Sequence, residues 1–388
     1  MTKQRIRDWV NYFSASGVYL SFSGGKDSTV LLHIAREMYP NLKAVFVDTG
    51  LEYPEIRQFV KRFENVDIVK PKIGFKKVVE KYGFPIISKE VSEKVYYAKK
   101  YLDWWVGQNI LGKPNGGGIP SPYGIADLLG RHRRSGEYWE NLKKGIIPDE
   151  LLKEIFGMDS DAPATCKMLF GEYRHKEKGT KTDESSRMFD FSKYKYLATA
   201  PFYLSHHCCG VMKKAPIKKY AKETGRVPIT AQMASESRLR TNNWLKNGCN
   251  AFELNNPISN PMSFWTEQDV LLYIKANNIE ISSVYGDVVL DYHGMNLCDG
   301  QLSFNDIAGM EEFDLERPLL KTTGCSRTGC IFCGFGCHLE KESRFERLKQ
   351  THPKHYKAMA NIKNNGINYF EAIDWINEHN GKGKIISY

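Results

Sequence analysis

Near the amino terminus, apolar and small or polar positions alternate. Val18, Leu20 and Phe22 fall on one side of a period-two pattern that closes at Ser23, which predicts a strand. After Gly24-Gly25-Lys26-Asp27-Ser28 the period lengthens: Val30, Leu31, Ile34 and Met38 recur at helix spacing until Tyr39-Pro40. The unbroken apolar run Ala44-Val45-Phe46-Val47, closed by Asp48-Thr49-Gly50, reads as a buried strand. Pro54 suits the first turn of a helix whose inner face is Ile56, Phe59, Val60 and Phe63. A third strand around Val66-Ile68-Val69 follows, then a helix through Phe75, Val78, Val79 and Tyr82, stopped by Gly83. Strands this apolar, alternating with helices, predict an α/β fold with a doubly wound, mostly parallel sheet covered on both faces. Ligands of such sheets bind at the carboxyl ends of the strands, where residues 23–28 and 48–50 stand.

The remaining length is ample for insertions, since 388 residues exceed one minimal domain. A composition 41% hydrophobic and 26% charged excludes wholesale disorder. No apolar stretch reaches the roughly 18 residues of a membrane span, and the charged, amphipathic start lacks a secretory core. The expectation is a cytoplasmic protein with no membrane partner. A net charge of +10 points to anionic ligands, phosphate compounds or nucleic acid.

The loop Ser23-Gly-Gly-Lys-Asp-Ser28 carries the chemistry of a phosphate cradle. Its glycines let the backbone approach an anion, and the following helix start offers free N–H groups. Ser23 and Ser28 add hydroxyls, and Lys26 a point charge. The alternative for these residues is a plain Gly-Gly turn capped by Asp27.

SFSGGKDS followed by VFVDTGLEYPEI resembles the ATP-pyrophosphatase (PP-loop) superfamily, in the branch of the phosphoadenosine-phosphosulfate (PAPS) reductases. The resemblance implies an adenine nucleotide alpha hydrolase-like fold. It also implies nucleotide contacts from Ser23, Gly24, Gly25, Lys26, Asp27 and Ser28, with Asp48, Thr49 and Gly50 beside the adenosine. Further on, His206-His-Cys208-Cys209-Gly-Val-Met-Lys-Lys-Ala-Pro-Ile217 is similar to the Cys-Cys motif and basic helix of the iron–sulfur members. Val227 to Arg240 reads as a strand and an arginine-bearing loop, placed like the family's Gly-x-Arg-type ligand motif without its first Gly. That makes Arg238 and Arg240 candidate nucleotide ligands. Trp265-Thr-Glu-Gln-Asp269 opens a helix with Thr266 capping toward Asp269. Gly329-Cys330-Ile-Phe-Cys333 matches the family's late Gly-Cys-x-x-Cys.

The chain has nine cysteines, and in a reducing compartment they are not expected to form a disulfide framework. The resemblance assigns Cys208, Cys209, Cys330 and Cys333 to a [4Fe–4S] cluster, which takes four thiolates. The spacing alone leaves rivals. Cys325, Cys330, Cys333 and Cys337 could hold zinc or a cluster unaided, and the histidines beside Cys208 allow a mixed zinc site. If the first set holds the cluster, Cys325 and Cys337 are spare thiols near Arg327 and His338, and Cys337 is expected to have a lowered pKa and to act as nucleophile or persulfide carrier. The alternative is that one of the two is the fourth ligand and one of Cys208 and Cys209 is merely buried.

Four regions follow: a nucleotide-binding half over 1–95, a helical insertion over 96–192, a second half with the Cys-Cys motif over 193–300, and a cysteine-rich region over 301–388. The insertion carries Tyr101, Trp104, Trp105, a Gly/Pro-rich stretch over 112–122 and the basic patch 131–134, read as a solvated face or as a nucleic-acid platform. Lys213, Lys214, Lys218, Lys219 and Lys222 form a second basic cluster, read as offsetting a metal cluster's charge or as a solvated helix face. Reductases of this family carry a nucleophilic cysteine in a C-terminal Glu-Cys-Gly-type tail and usually a degraded phosphate loop. Here no cysteine follows Cys337, and Lys26, Asp27 and Ser28 are intact. The expectation is an enzyme that uses ATP and Mg²⁺, with Lys26 and Asp27 catalytic. It would adenylate a nucleic-acid or small-molecule acceptor for sulfur transfer, served by a sulfur or electron donor protein. The alternatives are a PAPS or APS reductase using Cys337 or Cys325, and a non-catalytic nucleotide- or nucleic-acid-binding protein with a zinc site.

Overall fold

The structure, a computed structural model, describes residues 1–109, 149–157, 160–173, 189–291, 319–340 and 342–388. The stretch 112–122, the patch 131–134 and Cys298 lie outside the described residues. The chain divides into two compact units, Met1–Lys72 with Met212–Ile331, and Ile73–Val211 with Phe332–Tyr388.

The first unit holds a six-stranded sheet. Its strands are β1 (Val18–Ser21), β2 (Ala44–Val47), β3 (Val66–Val69), β4 (Val227–Ile229), β5 (Asn250–Ala251) and β6 (Ile258–Ser259). They lie in the order β3-β2-β1-β4-β6-β5. All neighbours run parallel except β5 and β6. Val18, Tyr19 and Leu20 are all buried, and successive strand residues point to opposite faces. Both faces of β1 are therefore covered, as the apolar runs require. The helices are α1 (Thr2–Phe13), α2 (Lys26–Met38), α3 (Pro54–Val60), α4 (Ala215–Thr224), α5 (Arg238–Asn247) and α6 (Glu267–Ala276). Helix α6 begins with the expected capping box, in which Thr266 and Asp269 satisfy each other's backbone N–H. The chain builds outward from β1 to β3, then re-enters at β4 on the other side of β1. The order reverses at β1, where α/β sheets open a crevice.

The second unit is mainly helical, with helices Lys89–Asn109, Asp149–Phe156, Ala164–Phe170 and Tyr369–His379 among others. The described part of the expected insertion is thus helical. The helix Phe75–Tyr82 belongs to this unit, where the Asn364 amide donates to the carbonyls of Val79 and Glu80. The first unit's leading segment ends at Lys72 and its trailing segment at Ile331. Phe84, Phe202, Phe345 and Tyr369 are fully buried in this unit's core. Among the described residues, no helix is long and apolar enough to cross a membrane.

Candidate nucleotide site

The loop between β1 and α2 is held in shape by its own atoms. Gly24 has φ 71°, and a Cβ there would stand 2.7 Å from Val60 Cγ2 and 2.9 Å from Ile56 Cγ2. Both the conformation and the space require glycine. Ser28 Oγ donates to the Gly25 carbonyl at 2.9 Å and lies 3.0 Å from Ser23 Oγ. The Ser23 amide donates to Ser28 Oγ at 3.2 Å. The two hydroxyls expected as ligand donors therefore first brace the turn.

Lys26, the first residue of α2, is only 3% exposed. Its Nζ meets Glu267 Oε1 at 2.9 Å and the Ser326 carbonyl at 2.9 Å. Asp27 Oδ1 lies 3.9 Å from Lys26 Nζ, beyond hydrogen-bond reach, and is buried without a hydrogen-bond partner. Burial pushes the Asp27 carboxyl above its ordinary pKa and Glu267 adds to that, while Lys26, Arg327 and Arg240 act against it. Burial likewise lowers Arg240, with Arg327 contributing and Asp27 opposing. Two carboxylates and three cations thus share one neighbourhood. Tyr285 closes it: its hydroxyl accepts from the Lys26 amide at 3.3 Å and sits 2.5 Å from Thr328 Oγ1. Burial pushes the Tyr285 phenol up to about 12, so it remains a neutral hydroxyl.

Thr328 also belongs to the wall of an open cleft of ≈ 760 Å³, part of it continuous with solvent. The carboxyl ends of β1 and β2 form its floor, with Ser23, Phe46 and Val47, where a parallel sheet places its ligands. Glu52, Tyr53 and Ile56 line one part, and Lys213, Lys214 and Ile217 another. The cleft joins apolar surface to a few cationic groups, the usual makeup of a small-ligand site.

Several expected residues are used differently. Asp48 pairs with Arg57 at 2.9 Å and accepts from the Gly50 amide, while Thr49 donates twice to Glu52. Glu52 and Tyr53 line the cleft; Asp48, Thr49 and Gly50 spend their polar atoms shaping the turn beside it. Arg238 and Arg240 lie in the first turn of α5 instead of in a loop, because Ser237 Oγ caps the helix on the Arg240 amide. Arg240 pairs with Glu236 and faces Asp27, whereas Arg238 is exposed. Lys213 and Lys214, read as neighbours of a metal cluster or as solvated surface, line this cleft. Glu267, Tyr285, Ser326 and Thr328 escaped the sequence reading as site residues. Only Glu267, next to the capping Thr266, left any local signal.

Residues 17–101 and 171–334, more than half of the chain, match the model of the phosphoadenosine phosphosulfate reductase domain. The chain belongs to this family. It is also 41% identical over 70 residues to MJ0973, an uncharacterized protein of Methanocaldococcus jannaschii; that match spans 17% of this chain and 17% of the relative. Phosphoadenylyl-sulfate reductase of Candida auris, solved as a phosphate complex, aligns over 73% of this chain and 82% of its own, at 13% identity and a TM-score of 0.32.

This member of the PAPS reductase domain family also carries a set of free thiols. Cys208, Cys209, Cys333 and Cys337 belong to the second unit and Cys330 to the first. In the second unit, burial above all, and then the thiols of Cys333, Cys337 and Cys208, hold the Tyr369 phenol well above its ordinary pKa. Tyr369 donates to the Phe332 carbonyl at 2.8 Å, and Arg344 Nη1 to the Cys333 carbonyl at 2.9 Å. Cys337 Sγ donates to the Gly334 carbonyl at 2.8 Å. The lowered pKa expected for Cys337 is not found: burial pushes its thiol up to about 12, outweighing the favourable charge of Arg344. The donors have the chemistry of an iron–sulfur site. Among the described residues, however, no three histidine, cysteine, aspartate or glutamate side chains are gathered as a metal ion requires.

Proposed function

We propose that this protein binds ATP over the loop 23–28 and cleaves it to AMP and pyrophosphate, transferring the adenylyl group to an acceptor ahead of sulfur transfer. The observation that carries the reading is the complete loop, with Lys26 buried at the start of α2 and its amine against Glu267. An acceptor oxygen attacks the α-phosphorus, the bond to the bridging oxygen breaks, and pyrophosphate leaves with the electron pair. Lys26, exchanging Glu267 for phosphate oxygens, would meet charge developing on the leaving group. Lys213 and Lys214 supply further cations, and Phe46, Tyr53 and Ile217 an apolar wall for the base. Asp27, with its unpartnered Oδ1, is the residue that would hold Mg²⁺, which shares the pyrophosphate charge when bound. A [4Fe–4S] cluster held by four cysteine thiolates remains part of the proposal.

A sulfonucleotide reductase is the second reading, favoured by the family. It needs a thiolate nucleophile, and both Cys325 and Cys337 are buried. Protein purified without oxygen and incubated separately with ATP, PAPS and APS distinguishes the two. Pyrophosphate from ATP supports adenylation; sulfite from PAPS or APS, with no pyrophosphate from ATP, overturns it.

A further inference from the structure

The mechanism uses Lys213 and Lys214 but not the lysines beyond them. Helix α4 buries Pro216 and Tyr220 and turns Lys218 and Lys222 outward, both exposed. With Lys214 they are spaced four residues apart, so they form one ridge rising about 6 Å per step along the axis. Lys219, off this ridge, is neutralised by Glu223 at 3.6 Å. Lys214, Lys218 and Lys222 take part in none of the ion pairs seen among the described residues. Like charges at this spacing destabilise a helix, and an acid one turn away would relieve them, as Glu223 does for Lys219. The ridge also has a direction. It starts at Lys214 on the wall of the nucleotide cleft and runs outward from there.

We infer that the exposed ridge Lys214-Lys218-Lys222 is a track for the phosphate backbone of a single-stranded nucleic acid whose reacting nucleotide enters the cleft. This rests on the adenylation reading and names its acceptor class. Regularly spaced lysines without an ion-pair partner among the described residues match a polymer of regularly spaced phosphates, which such contacts position without reading sequence. Binding releases condensed counter-ions, so its strength falls steeply with salt.

The test is fluorescence anisotropy of a labelled single-stranded oligonucleotide, as RNA and as DNA, titrated with full-length protein at several salt concentrations. Wild type should bind with a steep salt dependence, and the tighter of the two strands identifies the acceptor. The double variant Lys218→Glu/Lys222→Glu should weaken binding about tenfold or more and flatten the salt slope by about two phosphate contacts. Lys218→Ala/Lys222→Ala should do the same in part. ATP affinity, measured by calorimetry, should stay unchanged in both. Wild type that ignores both strands, or double variants that bind as wild type does, would overturn the track. Oligonucleotide binding that depends on the ridge in a protein unable to release pyrophosphate would support the track and count against adenylation.

Discussion

Lys26 and Glu267 should respond to substitution in opposite directions. In the resting site the ammonium is spoken for, 2.9 Å from Glu267 Oε1 and 2.9 Å from the Ser326 carbonyl. A phosphate oxygen arriving at Nζ gains a charge-assisted hydrogen bond, worth about 1.5–3 kcal/mol. Lys26→Met keeps most of the buried stem and removes that contact, so ATP affinity should fall by roughly 10- to 150-fold. The variant also leaves the Ser326 carbonyl without its donor. A loss of about 1 kcal/mol, a few degrees in melting temperature, is therefore expected even without ligand. Glu267→Gln removes the competitor. The Glu267 side chain is 40% exposed, so its attraction to Lys26 is discounted to at most about 1 kcal/mol. Freeing Lys26 should then tighten ATP by up to about fivefold. Calorimetric titration of both variants, beside thermal melts without nucleotide, gives the comparison. If Glu267→Gln weakens ATP binding as Lys26→Met does, Glu267 serves the ligand directly and the exchange is wrong. If Lys26→Met binds ATP normally, the loop assignment itself fails.

Two further predictions concern Asp27 and the thiols. The folded protein holds the Asp27 carboxyl above its unfolded pKa, so ionisation costs stability once pH passes the ordinary carboxylate range. Asp27→Asn should melt above wild type at neutral pH, the gap closing below about pH 4, while pyrophosphate release is lost; a gap that persists at low pH refutes the burial argument. Protein prepared without oxygen should be brown and contain iron, and Cys333→Ser should bleach it. Stoichiometric zinc in colourless wild type would remove the cluster.

Local order made much of the fold legible. The end of β1, the glycine loop, β2 and the Thr266 cap each depend on neighbours a few residues away. Arg238 and Arg240 were misplaced in a loop because Ser237, a serine among many, gives no sign that it caps a helix. The Lys26 neighbourhood was out of reach for a different reason. Its partners Tyr285 and Ser326 come from 259 and 300 residues along the chain, and nothing in Ser-Val-Tyr-Gly marks a ligand to a loop amide. For Cys337 the flanking charges are visible in sequence and the burial that pushes its thiol up is not.

The strand order carries a consequence for biosynthesis. β1 pairs on one side with β2, which follows after the 13-residue helix α2 and its two short loops, and on the other with β4, in the register Val18 to Val227. A ribosome adding roughly 5–20 residues per second leaves β1 without its second neighbour for roughly 10–40 s. During that interval the half-sheet presents the apolar edge Val18-Tyr-Leu20, a template for pairing with other nascent chains. Non-local parallel pairing is also slow to form even in a finished chain. Production of this protein should therefore depend on chaperone supply and on low temperature.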